Sequence, residues 1–174
     1  MSKQFIKSLT LCVISSSVLL VAGCATTSMN NDGPSYTISI KNDMKSERLA
    51  PVLIVGDADD SKIWVGRYVS AEARTQFTTG NPSPVAAQLG GEQLQPGRVA
   101  VNGEVTFTFR TKAKTARITA MVHPDITPDN YVTAKLDLTK PGVIPLERFD
   151  IGDNEKRMTV ERVGQVGTVT LTLK

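Results

Sequence analysis

The sequence predicts an all-β domain, an antiparallel β-sandwich with one or two short helices in an inserted loop. Apolar and polar residues alternate over several stretches after residue 35, which is the period of a strand with one buried face. Turn-forming segments rich in glycine, proline and asparagine separate these stretches. The chain lacks the regular succession of strand and helix that marks a parallel sheet, so we expect antiparallel pairing.

The alternating stretches predict strands that pack one face on the core and turn the other to solvent. They are residues 36–40, 99–101, 105–109, 118–122, 132–138 and 167–173. Residues 51–55 are instead apolar without interruption. This run predicts a more deeply buried strand.

Two short helices are predicted in one long insertion between strands. Ser70 can cap a helix over residues 71–77, and Ser83 can cap one over residues 84–89. Gly90 can end the second helix, because glycine readily adopts the positive φ of a helix terminus. The insertion interrupts the strand pattern without changing the fold class.

Residues 1–23 have the features of a secretory signal peptide. Lys3 and Lys7 supply positive charge, and no acidic residue precedes Asp32. Residues 8–22 are uncharged and largely apolar, a length that suits a signal sequence and is short for a membrane-spanning helix. We therefore expect this segment to be removed on export.

The export segment ends in Leu20-Val21-Ala22-Gly23-Cys24, which has the form of a lipobox. Small side chains before the cysteine suit a signal peptidase, and the thiol is the group that accepts diacylglycerol. Each buried methylene contributes about 0.8 kcal/mol, so two or three acyl chains such as palmitate hold a protein firmly on a membrane. The alternative is an ordinary signal peptide that ends near a buried cysteine.

Cysteine usage favours lipidation of Cys24 over that alternative. The only other cysteine is Cys12, which lies in the segment to be removed, so the mature chain can form no internal disulfide. Ala25 rather than an aspartate follows the cysteine. By resemblance to enterobacterial sorting signals, this residue favours the outer membrane as the location.

The composition of the remaining chain excludes a nucleic-acid partner. The net charge of +3 includes Lys3 and Lys7, so the mature chain is nearly neutral, and it has no basic run with interleaved aromatic residues. Residues 24–35 are small and polar, which predicts a flexible tether. Residues 36–174 are long enough for one domain with a sizeable core.

An ordered series of motifs resembles the spondin N-terminal domain in its bacterial form. The motifs are residues 50–52, 80–89, 96–97, 107–109, 118–124, 128–132 and 149–154. Together they extend over residues 36–174. The resemblance implies an eight-stranded antiparallel β-sandwich of the kind found in secreted matrix and adhesion proteins, without enzymatic activity.

The resemblance also implies a calcium ion among the loops at one end of the sandwich. Its ligands, carried over by position, would be Asp129, Asp150 and Asn154. The asparagine departs from the family pattern and removes a negative charge, so calcium affinity should fall unless another carboxylate contributes. The nearby carboxylates are Asp125, Asp153 and Glu155. The alternative is that Asp129 and Asp150 only accept hydrogen bonds from backbone amides of their own turns.

Two other groups of residues have some features of a binding site. Asp57, Asp59 and Asp60 alternate like part of a cation loop but lack the later bidentate glutamate of an EF-hand, which favours a solvated hairpin loop. Trp64 and Tyr68 could form an exposed recognition patch, although aromatic residues at strand spacing more often belong to a core.

His123 is the only histidine, so any general-base mechanism must use it. A hydrolase that pairs His123 with Asp125 or Asp129 is one alternative. A structural imidazole at a strand end before Pro124 is the other, and the lack of a glycine-flanked serine elbow favours it.

The sequence thus predicts a non-enzymatic, lipid-anchored binding module of the cell envelope. Its partners would be the membrane, through Cys24, and an envelope or extracellular ligand that the sandwich-end loops bind with calcium. The alternative is a structural envelope protein that binds a protein partner through an edge strand, by main-chain pairing.

Overall fold

The computed structural model of the chain describes residues 33–65, 68–123, 130–151 and 160–174. Within these ranges the chain forms strands β1 (Ser35–Asn42), β2 (Arg48–Gly56), β3 (Trp64–Val65), β4 (Tyr68–Val69), β5 (Gln93–Val99), β6 (Glu104–Arg110), β7 (Thr115–His123), β8 (Asn130–Asp137), β9 (Gly142–Asp150) and β10 (Glu161–Leu173), and helices α1 (Ala71–Thr79) and α2 (Ser83–Leu89). A single turn of 3₁₀ helix, Asp60–Lys62, lies between β2 and β3. The predicted all-β class is confirmed.

Eight of the described strands form one antiparallel sheet in the order β5-β2-β7-β8-β9-β10-β1-β6. The sheet nearly closes on itself. Its two edge strands, β5 and β6, are consecutive along the chain. Its two halves enclose one large apolar cluster, as expected for a sandwich. Strands β3 and β4 pair separately.

Strand β1 shows how the alternating sequence builds the inner core. Ile38 and Ile40 are fully buried, whereas Ser39 between them lies on the outer face. Ile38 is directly opposite Leu171 of β10 and Phe107 of β6, so apolar residues from neighbouring strands meet on the same face. Burial of one such aliphatic side chain contributes about 1.5–3 kcal/mol. The period-two pattern therefore has a direct energetic cause.

The helical insertion covers the outer face of β2, β7 and β8 and forms a second apolar cluster. Phe77 of α1 is fully buried and stacks on Tyr131 of β8, with the ring centroids 4.0 Å apart. Trp64 and Phe149 extend this stack, with centroids 5.2 and 5.5 Å from that of Tyr131. Trp64 is thus a packing residue, and the side chain of Tyr68 lies outside the described set.

The stack leaves one polar atom in an apolar setting. The hydroxyl of Tyr131 is buried and has no hydrogen-bond partner among the described residues. Burial disfavours the charged phenolate and raises the pKa of Tyr131 well above its ordinary value. This hydroxyl stays protonated throughout the physiological pH range.

The helix predictions are confirmed for α1 and need one correction for α2. The Ser70 hydroxyl accepts a hydrogen bond from the backbone N–H of Ala73 and caps α1, as predicted. Ser83 does not cap α2, because it is the first residue of that helix and its N–H donates to Oδ1 of Asn81, at 3.1 Å. Gly90 ends α2 with φ of 62°, the predicted glycine terminus.

The strand predicted at residues 99–101 ends early. Strand β5 stops at Val99, and the backbone N–H of Gly103 donates to the carbonyl of Ala100 at 3.1 Å, which closes a tight turn. Asn102 adopts a φ of 48°, a left-handed conformation that asparagine tolerates better than most residues. Turn chemistry here overrides the short apolar alternation.

The antiparallel register gives the sandwich two distinct ends. The distal end is defined here by Asn42, Arg48, His123, Asn130, Asp150 and Glu161, where β1, β7 and β9 end and β2, β8 and β10 begin. The proximal end is defined by Ser35, where β1 begins, and Leu173, where β10 ends. The chain therefore enters the sandwich at the proximal end, and its β7–β8 and β9–β10 connections leave from the distal end.

Candidate functional site at the distal end

A cleft of about 230 Å³ opens near the distal end, between the outer face of the sheet and the link that joins the two helices. Arg48, Arg98 and His123 supply its cationic or titratable side chains. No aspartate or glutamate of the described residues is part of its lining. Its volume is below the 300–1,000 Å³ typical of pockets for drug-sized ligands, so it suits a small chemical group.

Strand register explains why these three side chains meet. Arg48 of β2 is directly opposite His123 of β7, so the two side chains share one face. Arg98 precedes Val99 of β5, which is opposite Leu49 of β2. Val99 and Leu49 belong to the inner core, so the alternation of side chains turns Arg98 and Arg48 to the outer face.

The roof of the cleft is the link between α1 and α2. Gly80 ends α1 in a left-handed conformation with φ of 73°. An added Cβ there would lie 3.0 Å from the Cβ of Ala50 and 3.7 Å from Sδ of Met121, so glycine allows the link to sit closely on the sheet. Both of these apolar side chains are buried and also line the cleft.

The cations of the cleft are not neutralised within the described part of the chain. No described residue forms an ion pair or a side-chain hydrogen bond with Arg48, Arg98 or His123. The charged heads of Arg48 and Arg98 are exposed, and His123 is half-buried. Arg48 and Arg98 lie on adjacent strands of one face, so the cleft carries positive potential that an anion would relieve.

Of the predicted calcium ligands, only Asp150 lies within the described residues. It is half-buried at the end of β9, opposite Asn130 of β8 and Glu161 of β10. Asp129 immediately precedes Asn130 in the chain but, like Asn154, it lies outside the described residues. Register thus places the predicted ligand Asp150 opposite Asn130, the first residue of the strand that follows Asp129.

Asp150 and the cleft lie on opposite faces of the sheet. Tyr131 and Phe149 pack in the outer cluster beneath the helices, so their neighbours Asn130 and Asp150 face the inner side. Two strand spacings separate β7 from β9, which is roughly 10 Å. The distal end therefore presents two separate candidate sites, an acidic one on the inner side and a cationic one on the outer side.

A buried polar network closes the inner core at the distal end. Arg148 of β9 donates to Glu47 through two nitrogens, at 2.7 and 3.2 Å. Its Nε also donates to Oδ1 of Asn130, at 2.7 Å. The side chains of Arg148 and Glu47 are only 13% and 10% exposed. The network joins the β1–β2 turn to β8 and β9.

The three aspartates that follow β2 have structural tasks. Asp57 accepts two backbone N–H groups next to the start of β7, at 3.0 Å, and these hydrogen bonds lower its pKa. Asp59 caps the 3₁₀ helix. Asp60 forms ion pairs with Arg117 and Lys135, at 2.5 and 3.0 Å; burial raises its pKa, but these two cations outweigh that effect and lower it. The segment is solvent-exposed, as predicted, but it is an anchored loop and not a hairpin, because among the described strands β3 pairs with β4 and not with β2.

No metal cluster is found among the described residues. Within the ranges 33–65, 68–123, 130–151 and 160–174, no three His, Cys, Asp or Glu side chains converge in a way that could hold a metal ion. Asp125, Asp129, Asp153, Asn154 and Glu155 lie outside those ranges. The proposed calcium set is therefore represented in the described structure by Asp150 alone.

The cationic cleft is the feature that sequence reasoning missed. The sequence indicates a general base or a structural imidazole for His123, and it gives no sign that Arg48 and Arg98 belong to a site. Each arginine is exposed and flanked by ordinary strand residues, so no local pattern sets it apart. Only the pairing of β2 with both β5 and β7 brings the three positions together.

The export segment and Cys24 lie outside the described residues. Among the residues that are described, no helix is long and apolar enough to cross a membrane. No known protein-family model matches the chain, and no curated protein has a sequence detectably similar to it.

Proposed function

We propose that this protein is a lipid-anchored, non-enzymatic binding module of the cell envelope, held on the outer membrane through Cys24. The proposal begins from the lipobox at residues 20–24 and the polar tether at residues 24–35. It also draws on the resemblance to the spondin N-terminal domain. The confirmed β-sandwich is compatible with that resemblance, although many unrelated proteins share such a fold.

The observation that carries the proposal is that the tether and the candidate sites lie at opposite ends of the sandwich. β1 begins at Ser35 at the proximal end, close behind the tether. The β7–β8 and β9–β10 connections leave from the distal end, where the cationic cleft and Asp150 also lie. A chain tethered at Cys24 would therefore direct its two candidate sites away from the attachment point, as a binding module requires.

Loss of the lipid attachment is the first test. Cys24→Ser is expected to abolish incorporation of labelled palmitate, because serine has no thiol to accept diacylglycerol. Labelling and membrane fractionation of cells that produce the full chain would measure this. Cys12→Ser is the matched control, since it removes the other cysteine and should leave labelling unchanged. Palmitate retained by the Cys24→Ser protein would contradict the anchor.

We further propose that calcium assists binding at the inner side of the distal end, through Asp150 with Asp129 and Asn154. Aspartate and asparagine supply the hard oxygen ligands that calcium prefers. A ligand that binds only the folded state raises stability, by about 1.4 kcal/mol at ten times its Kd. Thermal unfolding of the fragment 25–174, titrated with calcium against a chelator, is expected to show this gain, and Asp150→Ala is expected to lose it.

Asp137→Ala is the matched control for the calcium experiment. Asp137 ends β8 at the proximal end, far from the proposed ligands. It accepts hydrogen bonds from Thr139 and Lys140 that lower its pKa to about 2, so its replacement can alter stability but should leave the calcium-dependent shift intact. Equal shifts in the parent and the Asp150→Ala variant would remove Asp150 from the site and reduce it to a turn residue.

The edge-strand alternative has one structural observation in its favour. The sheet nearly but not fully closes, and β6 pairs only with β1 among the described strands, so its other edge can accept a partner strand. The opposite edge, β5, is less suitable because Pro96 cannot donate a backbone hydrogen bond. Binding of an envelope partner that survives Asp150→Ala would favour the β6 edge over the loop site.

A further inference from the structure

We propose that the cationic cleft formed by Arg48, Arg98 and His123 binds the phosphate group of a phosphomonoester. This inference names a ligand class for the binding module proposed above and rests on that proposal only for its biological setting. The cleft consists of side chains within the described residues; Cys24 lies outside those residues, and Asp150 is not part of the lining.

The number and placement of donors favour phosphate over carboxylate. One guanidinium fork satisfies both oxygens of a carboxylate, whereas a phosphomonoester has three terminal oxygens and up to two negative charges. Arg48, Arg98 and His123 come from three adjacent strands, β2, β5 and β7, on one face of the sheet. Donors that approach from three strands match a tetrahedral group better than a planar one.

The surroundings of the cleft strengthen this preference for an anion. Among the described residues no carboxylate lines it, so a bound phosphate would meet no repulsion from that part of its walls. The buried side chains of Ala50 and Met121 exclude water from one side, which increases the strength of charge-assisted hydrogen bonds. Asn81 accepts from Ser83 through Oδ1, which leaves its amide N–H groups as further donors at the rim.

Other cations of the described structure do not offer the same arrangement. Arg117 and Lys135 are neutralised by Asp60, and Arg148 by Glu47. The cleft arginines differ because they lack an acidic partner among the described residues. A cluster of uncompensated positive charge in a concave site is the arrangement expected where an anion binds.

The test is calorimetric titration of the whole protein, purified in detergent, with inorganic phosphate and with glycerol 3-phosphate at constant ionic strength. Arg48→Gln and Arg98→Gln are each expected to raise the Kd by about tenfold or more, since each removes a charge-assisted hydrogen bond. Arg48→Lys should fall between the parent and Arg48→Gln, because lysine keeps the charge and loses the fork. Circular dichroism of each variant verifies that the fold is retained.

Lys45→Gln is the matched control, because it removes an exposed positive charge from the β1–β2 turn, close to Arg48 in sequence but outside the cleft lining. Its Kd should stay within about twofold of the parent, as expected for a screened surface charge. An equal loss in the Lys45→Gln and Arg48→Gln variants would overturn the proposal, since it would show attraction by general charge. The proposal would also be overturned if the protein bound none of inorganic phosphate, glycerol 3-phosphate and vesicles that contain phosphatidic acid.

A second arm separates a lipid headgroup from a soluble ligand. Vesicles of phosphatidylcholine, with and without a phosphomonoester lipid such as phosphatidic acid, are tested in a flotation assay with the same variants. If the parent protein binds the phosphatidic acid vesicles and the Arg48→Gln and Arg98→Gln variants do not, the result supports the cleft and identifies a lipid headgroup as the source of the phosphate. Vesicle binding that is indifferent to both variants counts against the cleft. A failure in these assays is distinguishable from a failure of the proposed function, which the Cys24 and Asp150 variants test separately.

Discussion

Phe77→Ala is expected to lower the free energy of unfolding of the fragment 25–174 by about 3–5 kcal/mol, the range for removal of a large aromatic side chain from a core. Phe77 is fully buried and stacks on Tyr131, with the ring centroids 4.0 Å apart. Together with Ala73, it belongs to the buried apolar cluster through which α1 packs on the sheet. The loss would leave a cavity that the surrounding strands cannot fill.

Urea unfolding monitored by circular dichroism measures this effect without relying on Trp64, whose fluorescence would change because the indole also stacks on Phe77. Val143→Ala is the control, since Val143 is 67% exposed and its replacement should cost less than about 1 kcal/mol. A similar small effect of both substitutions would mean that the helical insertion is not part of the cooperative core. Hydrogen exchange of the α1 amides would then identify local opening.

Arg148→Met is expected to cost about 3 kcal/mol, because it leaves the Glu47 carboxylate buried without its partner. Glu47 is 7% exposed and accepts two hydrogen bonds from the Arg148 guanidinium. The same guanidinium donates to Asn130, so the substitution also removes a link between β8 and β9. Urea unfolding of the fragment 25–174 gives the measurement.

Arg162→Met is the matched control for the ion pair. Arg162 forms a similar two-nitrogen contact with Glu147, but its side chain is 57% exposed, so the pair should contribute less than about 1 kcal/mol. The double variant Glu47→Met/Arg148→Met should recover part of the loss, since it leaves no unpaired charge. Equal losses for Arg148→Met and Arg162→Met would contradict the importance of burial.

Much of the fold could be predicted because its signals are local. Ile38 and Ile40 alternate with polar neighbours, and a strand with one buried face has no other way to satisfy that pattern. Ser70 is predictable as a cap because a hydroxyl oxygen just before a helix can accept a hydrogen bond from a free N–H of the first turn. Where the predictions were wrong, at Ser83 and Val101, neighbouring turn residues competed with a weak local pattern.

The candidate sites were less predictable. Asp150 came from a family resemblance, and the structure adds that it lies opposite Asn130, the residue after Asp129. The spacing of Asp57, Asp59 and Asp60 favours a solvated loop over a cation site. The partners of Asp57 and Asp60, Thr115 and Arg117, lie more than fifty residues away and could not be identified from local sequence.

The sequence by itself determined the strand pattern, the capped first helix and the lipobox with its expected lipid attachment at Cys24. Each of these depends on residues within a few positions of one another, through alternation, capping or peptidase recognition. Only the tertiary structure decided that Arg48, Arg98 and His123 share one cleft, and that Glu47 neutralises Arg148, 101 residues further along the chain. Strand order determines these long-range contacts. It depends on how the apolar faces of all the strands pack around one core, and no single segment of the sequence encodes that packing.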